Sequence, residues 1–350
     1  MSGGVDSSVA AYLMKQRGFD CIGVTMKLFA NEDIGISREH SCCSLDDVED
    51  ARSVAYSLDM PYYVFNFSDR FETDVIDRFI HAYENGITPN PCIDCNRYLK
   101  FDKLYMRAKE LDRDYVVTGH YARVEKDENG RFLLKKALDD TKDQSYVLYC
   151  LTQEQLSHTI FPLGEMRKSQ AREIAESQGF INARKADSQD ICFVQNGSYA
   201  DFIEQYTGKN YPDGDFLDTN GNVIGRHKGV IRYTVGQRKG LGISAPEPLY
   251  VKAVNPVSNT VTLSYNDGLY SSVVKAGDIN LISVPEIKGE MRVKAKVRYR
   301  HTEQWATVTQ NGETLTAVFD EPQRAVTCGQ ALVLYDGDTV VGGGTIIEVE

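Results

Sequence analysis

The first residues of the chain constrain its fold more than any other stretch. Seven residues form this N-terminal loop: Ser2, Gly3, Gly4, Val5, Asp6, Ser7 and Ser8. Two adjacent glycines let a backbone turn sharply and approach a ligand, and the Ala- and Leu-containing run that follows favours a helix. A helix that begins after such a turn presents converging N–H groups and the positive end of its dipole. The loop therefore predicts an anion site, to which its serine hydroxyls can also donate.

One member of the N-terminal loop does not suit an anion. The carboxylate of Asp6 would repel a phosphate unless a cation lay between them, so Asp6 is predicted to be a partner of Mg²⁺. The loop also lacks the lysine of the ordinary phosphate loop G-x-x-x-x-G-K-[ST]. The alternative is that Gly-Gly is only a turn and Asp-Ser-Ser only a helix cap.

Strand-like and helix-like segments alternate after the loop. Residues 21–29 and 62–67 are apolar and rich in strand formers, whereas residues 45–58 and 71–83 carry apolar side chains at helical spacing. Residues 114–118 predict a further strand, and the Asn129-Gly130 turn predicts a hairpin over residues 124–136. This alternation is typical of an α/β fold with a doubly wound parallel sheet, which binds ligands at the carboxyl ends of its strands.

The second half of the chain has a different residue pattern. Beyond residue 198, Gly, Asn, Asp and Pro turns separate short strand-like runs. The predicted strands are residues 250–254, 260–263, 291–300, 306–309, 314–319 and 331–335. Such even spacing predicts a small β-barrel.

Composition limits the function classes. A chain of 350 residues has room for two or three domains, and its net charge of −11 argues against a nonspecific nucleic-acid coat. Eight cysteines are too few for a disulfide scaffold. No apolar run reaches the roughly 18 residues of a membrane span. These features predict a cytoplasmic protein without a membrane partner.

Basic residues are concentrated in two places on this acidic chain. Residues 226–239 hold five Lys or Arg and no acid, and every second residue from Arg292 to Arg300 is basic. On a strand, a period of two puts those five charges on one face, over roughly 26 Å, and puts Val293, Ala295, Val297 and Tyr299 on the inner face opposite. The pattern predicts either a surface that follows backbone phosphates or an ordinary solvated strand face.

Three cysteines are candidates for chemistry. Cys92 and Cys95 form a C-x-x-C pair, whose spacing suits zinc, an iron–sulfur cluster, a redox thiol or coincidence. Asn96 is predicted to cap a helix over residues 97–111, which would place Cys95 at a helix N-terminus and favour its thiolate. Cys192 is a third thiol or a small buried hydrophobe. His40, Cys42 and Cys43 predict a loop rather than a metal site.

Several motifs occur together and in a specific order. They are the N-terminal loop and residues 90–96 (NPCIDCN), 118–122 (TGHYA), 142–144 (KDQ), 187–193 (DSQDICF), 234–242 (TVGQRKGLG), 298–299 (RY) and 329–330 (GQ). In combination the chain closely resembles the MnmA-type tRNA-specific 2-thiouridylases of the PP-loop ATP-pyrophosphatase superfamily. The resemblance covers nearly the whole chain. It implies a PP-loop domain over residues 1–198, a small central domain over 199–268 and a C-terminal, tRNA-binding β-barrel over 269–350.

The resemblance also implies a reaction. ATP, with Mg²⁺, would adenylate C2 of the wobble uridine in the tRNAs for Lys, Glu and Gln, and sulfur would then give 2-thiouridine, AMP and pyrophosphate. Cys192 matches the persulfide cysteine, loaded by a cysteine desulfurase or a sulfur relay protein. Cys95 matches the second cysteine, a nucleophile that attacks the persulfide or resolves the product as a Cys95–Cys192 disulfide.

Further positions take implied roles from the same match. Met26 and Gly119 join the N-terminal loop in binding ATP. Asn90, Pro91 and Cys92 would line the pocket for the flipped-out base. The implied tRNA contacts are His120, Lys142, Asp143, Gln144, Arg298, Tyr299 and Gln330.

The chain departs from the family at two points. A hydrophobic strand normally precedes the N-terminal loop, whereas here only Met1 does, which predicts an internal start or a missing strand. Some members carry Asp at the position of Cys92, and a thiol cannot replace a carboxylate base. Cys92, Cys95 and Cys192 could instead hold a [4Fe–4S] cluster that delivers sulfide.

Two rival classes are another PP-loop enzyme, which amidates a nucleotide or condenses an amino acid, and a tRNA-binding protein without catalysis.

Overall fold

The structure is a computed structural model, and it describes residues 1–29, 45–187, 191–194 and 198–350. The loop with His40, Cys42 and Cys43 lies outside the described residues. The chain divides into two compact units. The first unit comprises Met1–Ile76, Pro91–Gly197 and Asp338–Val340, and the second comprises Asp77–Asn90, Ser198–Gly337 and Val341–Glu350. The domain boundaries given above stay a prediction.

The first unit is an α/β structure with parallel strands, as the alternating sequence pattern predicts. Its helices are Val5–Gln16, Leu45–Ser57, Ser68–Phe71, Pro91–Asp94, Leu104–Glu110, Ser145–Leu148, Gln153–Ser157 and Lys168–Ser177, with π-helical segments Glu72–Ile76 and Cys95–Lys103. Strand Gly23–Lys27 pairs in parallel with Tyr62–Asn66, and Val116–Val117 pairs in parallel with Thr159–Ile160. Arg123–Lys126 and Phe132–Lys135 form the predicted hairpin.

One helix–helix contact determines where the start of helix Lys168–Ser177 lies relative to the N-terminal loop. Val5 and Val9 of the first helix share a buried cluster with Ala171 and Ala175, which lie on helix Lys168–Ser177. All four side chains are at most 4% exposed. Because alanine side chains are short, the two helices can approach closely, which brings the start of the later helix towards the N-terminal loop.

Six strands of the C-terminal region close into a barrel, as predicted, but the predicted strands over residues 250–254 and 260–263 belong to a separate four-stranded sheet. They are Tyr270–Leu281, Met291–Lys296, Gln304–Asn311, Thr314–Arg324, Ala331–Asp336 and Thr339–Val349. The first of them pairs with both Thr314–Arg324 and Thr339–Val349, which closes the sheet. The strand predicted over residues 291–300 ends at Lys296.

The rest of the second unit surrounds a four-stranded sheet. Its elements are strands Gly214–Leu217, Val223–His227, Tyr250–Asn255 and Thr260–Ser264, helices Asp77–Glu84 and Tyr199–Thr207, and 3-10 turns Val230–Arg232 and Asn266–Leu269. The two helices contact each other through aromatic rings. Tyr83 stacks on Tyr199 at 4.3 Å between centroids, and Phe79 meets Phe202 edge-on at 6.4 Å. In the part of the chain that the structure describes, no helix has the length and apolarity to cross a bilayer.

Candidate active site

The N-terminal loop adopts a conformation that only glycine suits. Gly3 has φ +72°, and a Cβ there would lie 2.4 Å from the carbonyl oxygen of Asp47. Gly4 is extended and precedes helix Val5–Gln16, where it contributes no capping side chain. The first N–H groups of this helix therefore face the loop without a side-chain acceptor from the cap position, as an anion site requires.

Hydrogen bonds within the first unit hold the loop in place. The hydroxyls of Ser7 and Ser8 each donate to the carbonyl of Gly4 at 3.0 Å. The amide of Asn182, which is 3% exposed, donates to the Gly3 carbonyl and to Ser8 Oγ at 2.9 Å. These bonds occupy two of the hydroxyls expected to donate to phosphate, which leaves the backbone N–H groups as the principal donors.

Gly119 lies directly against the loop. A Cβ on Gly119 would be 2.7 Å from the carbonyl carbon of Asp6 and 2.8 Å from the nitrogen of Ser7. Gly119 follows strand Val116–Val117, so the end of this strand reaches the anion site. Met26 lies on strand Gly23–Lys27 and is partly buried.

A charged cluster joins the loop to a distant part of the chain. Asp6 accepts hydrogen bonds from Tyr121 Oη at 2.9 Å and from Lys168 Nζ at 2.7 and 2.8 Å. Lys168 Nζ also lies 2.8 Å from Asp187, which pairs with Lys142 at 2.8 Å and Arg172 at 3.0 Å. We call these six residues the Asp6–Asp187 cluster.

The electrostatics of the cluster change the expectation for Asp6. The carboxylate of Asp6 is neutralised by the ammonium of Lys168. A cation of the chain itself therefore lies beside Asp6, where Mg²⁺ was predicted. Burial alone would raise the pKa of Asp187, but hydrogen bonds from Lys142 and Lys168 lower it to about 2. Burial, followed by the charge of Asp6, raises the pKa of Tyr121. Asp187 therefore stays charged at neutral pH, and Tyr121 stays a hydrogen-bond donor.

The cysteine pair lies at the start of a longer helix than predicted. The helix begins at Pro91, a residue well suited to the first helical position, and continues through the π-helical segment Cys95–Lys103. The prediction that Asn96 caps this helix is therefore wrong. Asn96 is buried inside the helix, and its amide donates to the carbonyl of Val147 at 2.9 Å.

The two thiols at this helix start differ in their exposure to solvent. Cys92 is exposed and Cys95 is 8% exposed. Cys150 packs beside them, with Sγ 3.6 Å from the carbonyl of Ile93. Segments with π geometry occur frequently at functional sites. The helix start thus offers one accessible and one sheltered sulfur.

The segment that carries Cys192 is anchored on both sides. Asp187 is held by the three cations of the Asp6–Asp187 cluster, and Phe193, 1% exposed, packs on Phe71 at 5.7 Å. Phe71 ends helix Ser68–Phe71, which contacts the segment Cys95–Lys103. Cys192 itself is partly exposed. Asp187 and Phe193, on either side of Cys192, therefore contact the Asp6–Asp187 cluster and a helix that touches the segment Cys95–Lys103.

The other described cysteines are poor nucleophiles. Burial raises the pKa of the Cys150 thiol to about 12, and burial also raises the pKa values of Cys21 and Cys328. These three sulfurs are therefore protonated at neutral pH.

The predicted iron–sulfur alternative does not fit the geometry. Among residues 1–29, 45–187, 191–194 and 198–350, no group of three or more His, Cys, Asp or Glu side chains is arranged to hold a metal ion. Cys92, Cys95 and Cys192 all belong to this set.

The predicted tRNA contacts of the first unit have partners within the unit. Lys142 pairs with Asp187, Asp143 accepts from Ser145 Oγ at 2.7 Å, and Gln144 Oε1 accepts from the backbone N–H of Tyr121 at 2.9 Å. Residues 142–144 therefore shape the loop beside the anion site. Their contact with tRNA stays a prediction.

His120 is a neutral ring rather than a cation. It lies 5.9 Å from Phe101 and 5.8 Å from Phe161 between ring centroids, and its Nδ1 is 2.7 Å from Thr118 Oγ1. Burial, followed by the charge of Lys100, lowers the pKa of His120 well below its usual value.

This shift predicts a pH dependence of stability. Below about pH 6.5 the unfolded chain protonates this imidazole and the folded chain does not, so stability falls as pH falls, by up to about 1.4 kcal/mol per pH unit. We expect His120→Gln to flatten the decline between pH 7 and 5 in urea titrations. Parallel curves for the two proteins would contradict this assignment.

The predicted tRNA contacts of the second unit differ in their environment: two donate hydrogen bonds within the unit, and one is exposed. Arg298 Nη2 donates to the carbonyls of Val235 at 3.0 Å and Ala325 at 2.6 Å. Gln330 Nε2 donates to the carbonyl of Thr88 at 2.9 Å. Tyr299 is 40% exposed, which corrects the expectation that it lies on the inner face with Val293, Ala295 and Val297.

The basic strand face is confirmed only in part. Arg292 and Lys294 are exposed on strand Met291–Lys296, and the alternate residues Val293 and Ala295 are buried. Arg292 pairs with Asp320, so that one of the charges is already matched.

Sequence reasoning missed several residues of the site. Tyr121 and Asp187 belong to the motifs TGHYA and DSQDICF, so membership of these motifs was a signal that could have identified them as site residues. Lys168, Arg172 and Asn182 lie outside every motif. Only the tertiary contact between helices Val5–Gln16 and Lys168–Ser177 reveals the two cations.

Comparisons with known proteins agree with this geometry. Residues 1–196 match the family described as tRNA methyl transferase HUP domain, residues 200–265 its PRC-barrel domain, and residues 271–346 an aminomethyltransferase beta-barrel domain. The chain is 52% identical over 348 residues to the tRNA-specific 2-thiouridylase MnmA of Clostridioides difficile, covering 99% of this chain and 96% of that protein. The chain belongs to the MnmA family of tRNA-specific 2-thiouridylases. The MnmA proteins of Lachnoclostridium phytofermentans (51% identity, 99% and 98% coverage) and Clostridium perfringens (48%, 99% and 96%) are similar to it over the same extent. Members of the MnmA family are tRNA sulfurtransferases, and the HUP domain implies the use of ATP.

Proposed function

We propose that this chain uses ATP to adenylate C2 of a tRNA wobble uridine and then replaces the C2 oxygen by sulfur from a Cys192 persulfide. The observation that carries the proposal is the association, within one unit, of an uncapped glycine loop with two cysteine segments. The family membership gives these features their chemistry.

Activation begins at the N-terminal loop. The C2 oxygen of uracil is a poor leaving group. Transfer of an adenylyl group to this oxygen lets it depart as part of AMP, which is a good leaving group. The uridine oxygen attacks the α-phosphorus, the bond from that phosphorus to the bridging oxygen breaks, and pyrophosphate leaves with the electron pair. The helix N-terminus after Gly4 would bind the nucleotide phosphates. ATP enters as its Mg²⁺ complex.

Sulfur transfer needs both active cysteines. The terminal sulfur of the Cys192 persulfide attacks the activated C2, and AMP leaves. The Cys95 thiolate then attacks Cys192 Sγ, which releases 2-thiouridine and leaves a Cys95–Cys192 disulfide. If Cys95 attacks first, hydrogen sulfide is released and attacks C2, with the same products. In both routes the two thiols supply the two electrons that reduce the sulfane sulfur, and an external thiol restores the enzyme.

The base must leave the anticodon stack to meet these sulfurs. Asn90, Pro91 and Cys92 are proposed to line its pocket, because Asn90 precedes and Pro91 begins the helix that carries Cys95, and Cys92 is exposed there. A thiol at position 92 cannot act as a carboxylate base, so this chain would not depend on a base there. The proposed substrates are the tRNAs for Lys, Glu and Gln, and the proposed sulfur source is a cysteine desulfurase or a sulfur relay protein.

The outer face of the barrel offers a surface for RNA. Trp305 is 48% exposed and lies within reach of two cations, at 5.2 Å from Arg292 and 5.5 Å from Lys294. Aromatic faces and basic side chains are the groups that contact RNA bases and phosphates. This arrangement favours Trp305 and Lys294 as tRNA contacts. Arg298 is less suited to testing the surface, because its guanidinium also holds the fold together.

The chain has one tryptophan, so its fluorescence reports on this surface alone. We expect saturating tRNA to quench Trp305 emission, and Lys294→Ala to weaken binding and reduce the salt slope by about one. Lys288→Ala removes a lysine whose side chain is 82% exposed and is the matched control. Unchanged emission at saturating tRNA would contradict the role of this face.

The function is tested by incubating the protein with tRNA, ATP and a persulfide donor. Mass spectrometry of the nucleosides and chromatography of the nucleotides should show 2-thiouridine and AMP in equal amounts. A protein that binds tRNA without forming either product would be the noncatalytic rival, and ATP cleavage without a thiolated product would indicate another PP-loop enzyme.

A further inference from the structure

The N-terminal loop lacks the lysine of an ordinary phosphate loop, yet a lysine from elsewhere in the chain reaches it. Lys168 Nζ contacts both oxygens of Asp6 and one oxygen of Asp187, and its side chain is only 11% exposed. We propose that Lys168, with Arg172 and Lys142 beside it, forms the site that binds the β- and γ-phosphates of the nucleotide and the pyrophosphate that they become. This inference rests on the use of ATP in the proposed function.

The position of Lys168 is fixed by its helix. It is the first residue of helix Lys168–Ser177, and its backbone N–H donates to a carboxylate oxygen of Asp139 at 2.9 Å. Arg172 is one turn further on, and side chains four residues apart share a helix face. The contact of Ala171 and Ala175 with the first helix holds this face against the N-terminal loop.

The charges of the cluster favour an added anion. Three cations pair with two carboxylates, and Asp187 is shared by all three cations. Among the described residues, Lys142 and Arg172 have only this shared carboxylate as an ion-pair partner, so each has hydrogen-bonding capacity left for an added anion. Oxygens of a phosphate can take the place of Asp187 on Lys142 and Arg172, while Asp6 and Tyr121 keep Lys168 oriented.

This placement matches where charge develops during adenylation. When the bond from the α-phosphorus to the bridging oxygen breaks, its electron pair goes to the departing pyrophosphate. Positive groups at that end of the nucleotide stabilise the added negative charge, as the lysine does in ordinary phosphate loops. Lys168 would thus perform the role for which the loop sequence has no residue.

The experiment measures the affinity for inorganic pyrophosphate directly by calorimetry, with ATP as a second probe. We expect Lys168→Met to weaken pyrophosphate binding by about 30-fold, because hydrogen bonds to charged groups contribute strongly, and Lys168→Arg to restore most of the affinity. Arg172→Gln should weaken it by about 5-fold. The matched control is Lys135→Met, which removes a part-buried lysine that pairs with Glu125 and Asp338 away from the loop.

The outcomes separate this inference from the proposed function. If the wild-type protein forms 2-thiouridine and AMP while Lys168→Met binds pyrophosphate as the wild type does, the inference is overturned and the function stands. If the wild type forms no thiolated tRNA, the proposed function fails whatever the variants bind. If thermal unfolding shows that Lys168→Met does not fold, Arg172→Gln decides, since its side chain is 37% exposed and unchanged affinity there overturns the inference.

Discussion

Replacing Cys192 by serine is expected to abolish 2-thiouridine formation, by at least about 1,000-fold, while tRNA binding and the release of pyrophosphate in the activation step continue. A serine hydroxyl cannot carry a sulfane sulfur, so the activated uridine would meet no nucleophile. Binding should persist because the barrel and the Asp6–Asp187 cluster do not depend on this sulfur. Nucleoside mass spectrometry and a filter-binding assay would measure the two properties on one preparation.

Other cysteines provide the controls for this loss. Cys95→Ser should also abolish 2-thiouridine, since Cys192 would keep its persulfide or a mixed species with no thiol to resolve it. Cys21→Ser should stay within about two-fold of the wild type, because burial raises the pKa of that thiol and it lies outside every predicted contact. Appreciable thiolation by Cys192→Ser would contradict the assignment of the persulfide.

Replacing Gly3 by alanine is expected to remove ATP-dependent AMP formation, with a loss of at least about 100-fold. The added Cβ would lie 2.4 Å from Asp47 O and 2.7 Å from Asp47 Cα, and both are backbone atoms that cannot rotate away. The loop would have to move, and the N–H groups after Gly4 would lose their convergence on the phosphates. Steady-state kinetics with varied ATP would measure the effect.

Gly18 offers a matched control for the strain of a left-handed residue. It has φ +82°, close to the +72° of Gly3, but a Cβ there would meet nothing within 4 Å. Gly18→Ala should therefore lower stability by about 1 kcal/mol and leave AMP formation intact. Equal activity of the two variants would show that the contact with Asp47 does not shape the site.

The sequence was sufficient where local patterns determine structure. The alternation of strand and helix predicted the parallel strands, Asn129 and Gly130 predicted the hairpin, and the glycine pair predicted the strained loop. The outer strands of the barrel alternate polar and apolar residues, which made Met291–Lys296 recognisable. In each case the signal lies within about ten residues.

The barrel shows where local patterns fail. Strand Thr339–Val349 was missed because its run of glycines resembles a turn, whereas in the fold it allows close strand contact. A Cβ on Gly344 would lie 2.5 Å from the carbonyl of Gly277 on the closing strand. Only the pairing partner, more than 60 residues away, explains the choice of glycine there.

The same limit applies to the candidate site. Asn96 looked like a cap because it precedes a helical pattern, but Pro91 begins the helix and Val147 receives the amide of Asn96. Lys168 had no local signal, since its role depends on Asp6, which is 162 residues away. Short-range chemistry predicted the loop and the thiols, and tertiary packing supplied the cations.

The central claim is that activation of the uridine and delivery of sulfur occur at one site formed by the N-terminal loop, Cys95 and Cys192. A single turnover tests it most directly, with enzyme carrying one persulfide, excess tRNA and ATP, and no reductant. Nucleoside and tryptic-peptide mass spectrometry should find 2-thiouridine, AMP and a Cys95–Cys192 disulfide in a 1:1:1 ratio. Formation of 2-thiouridine without that disulfide, or without AMP, would contradict the account.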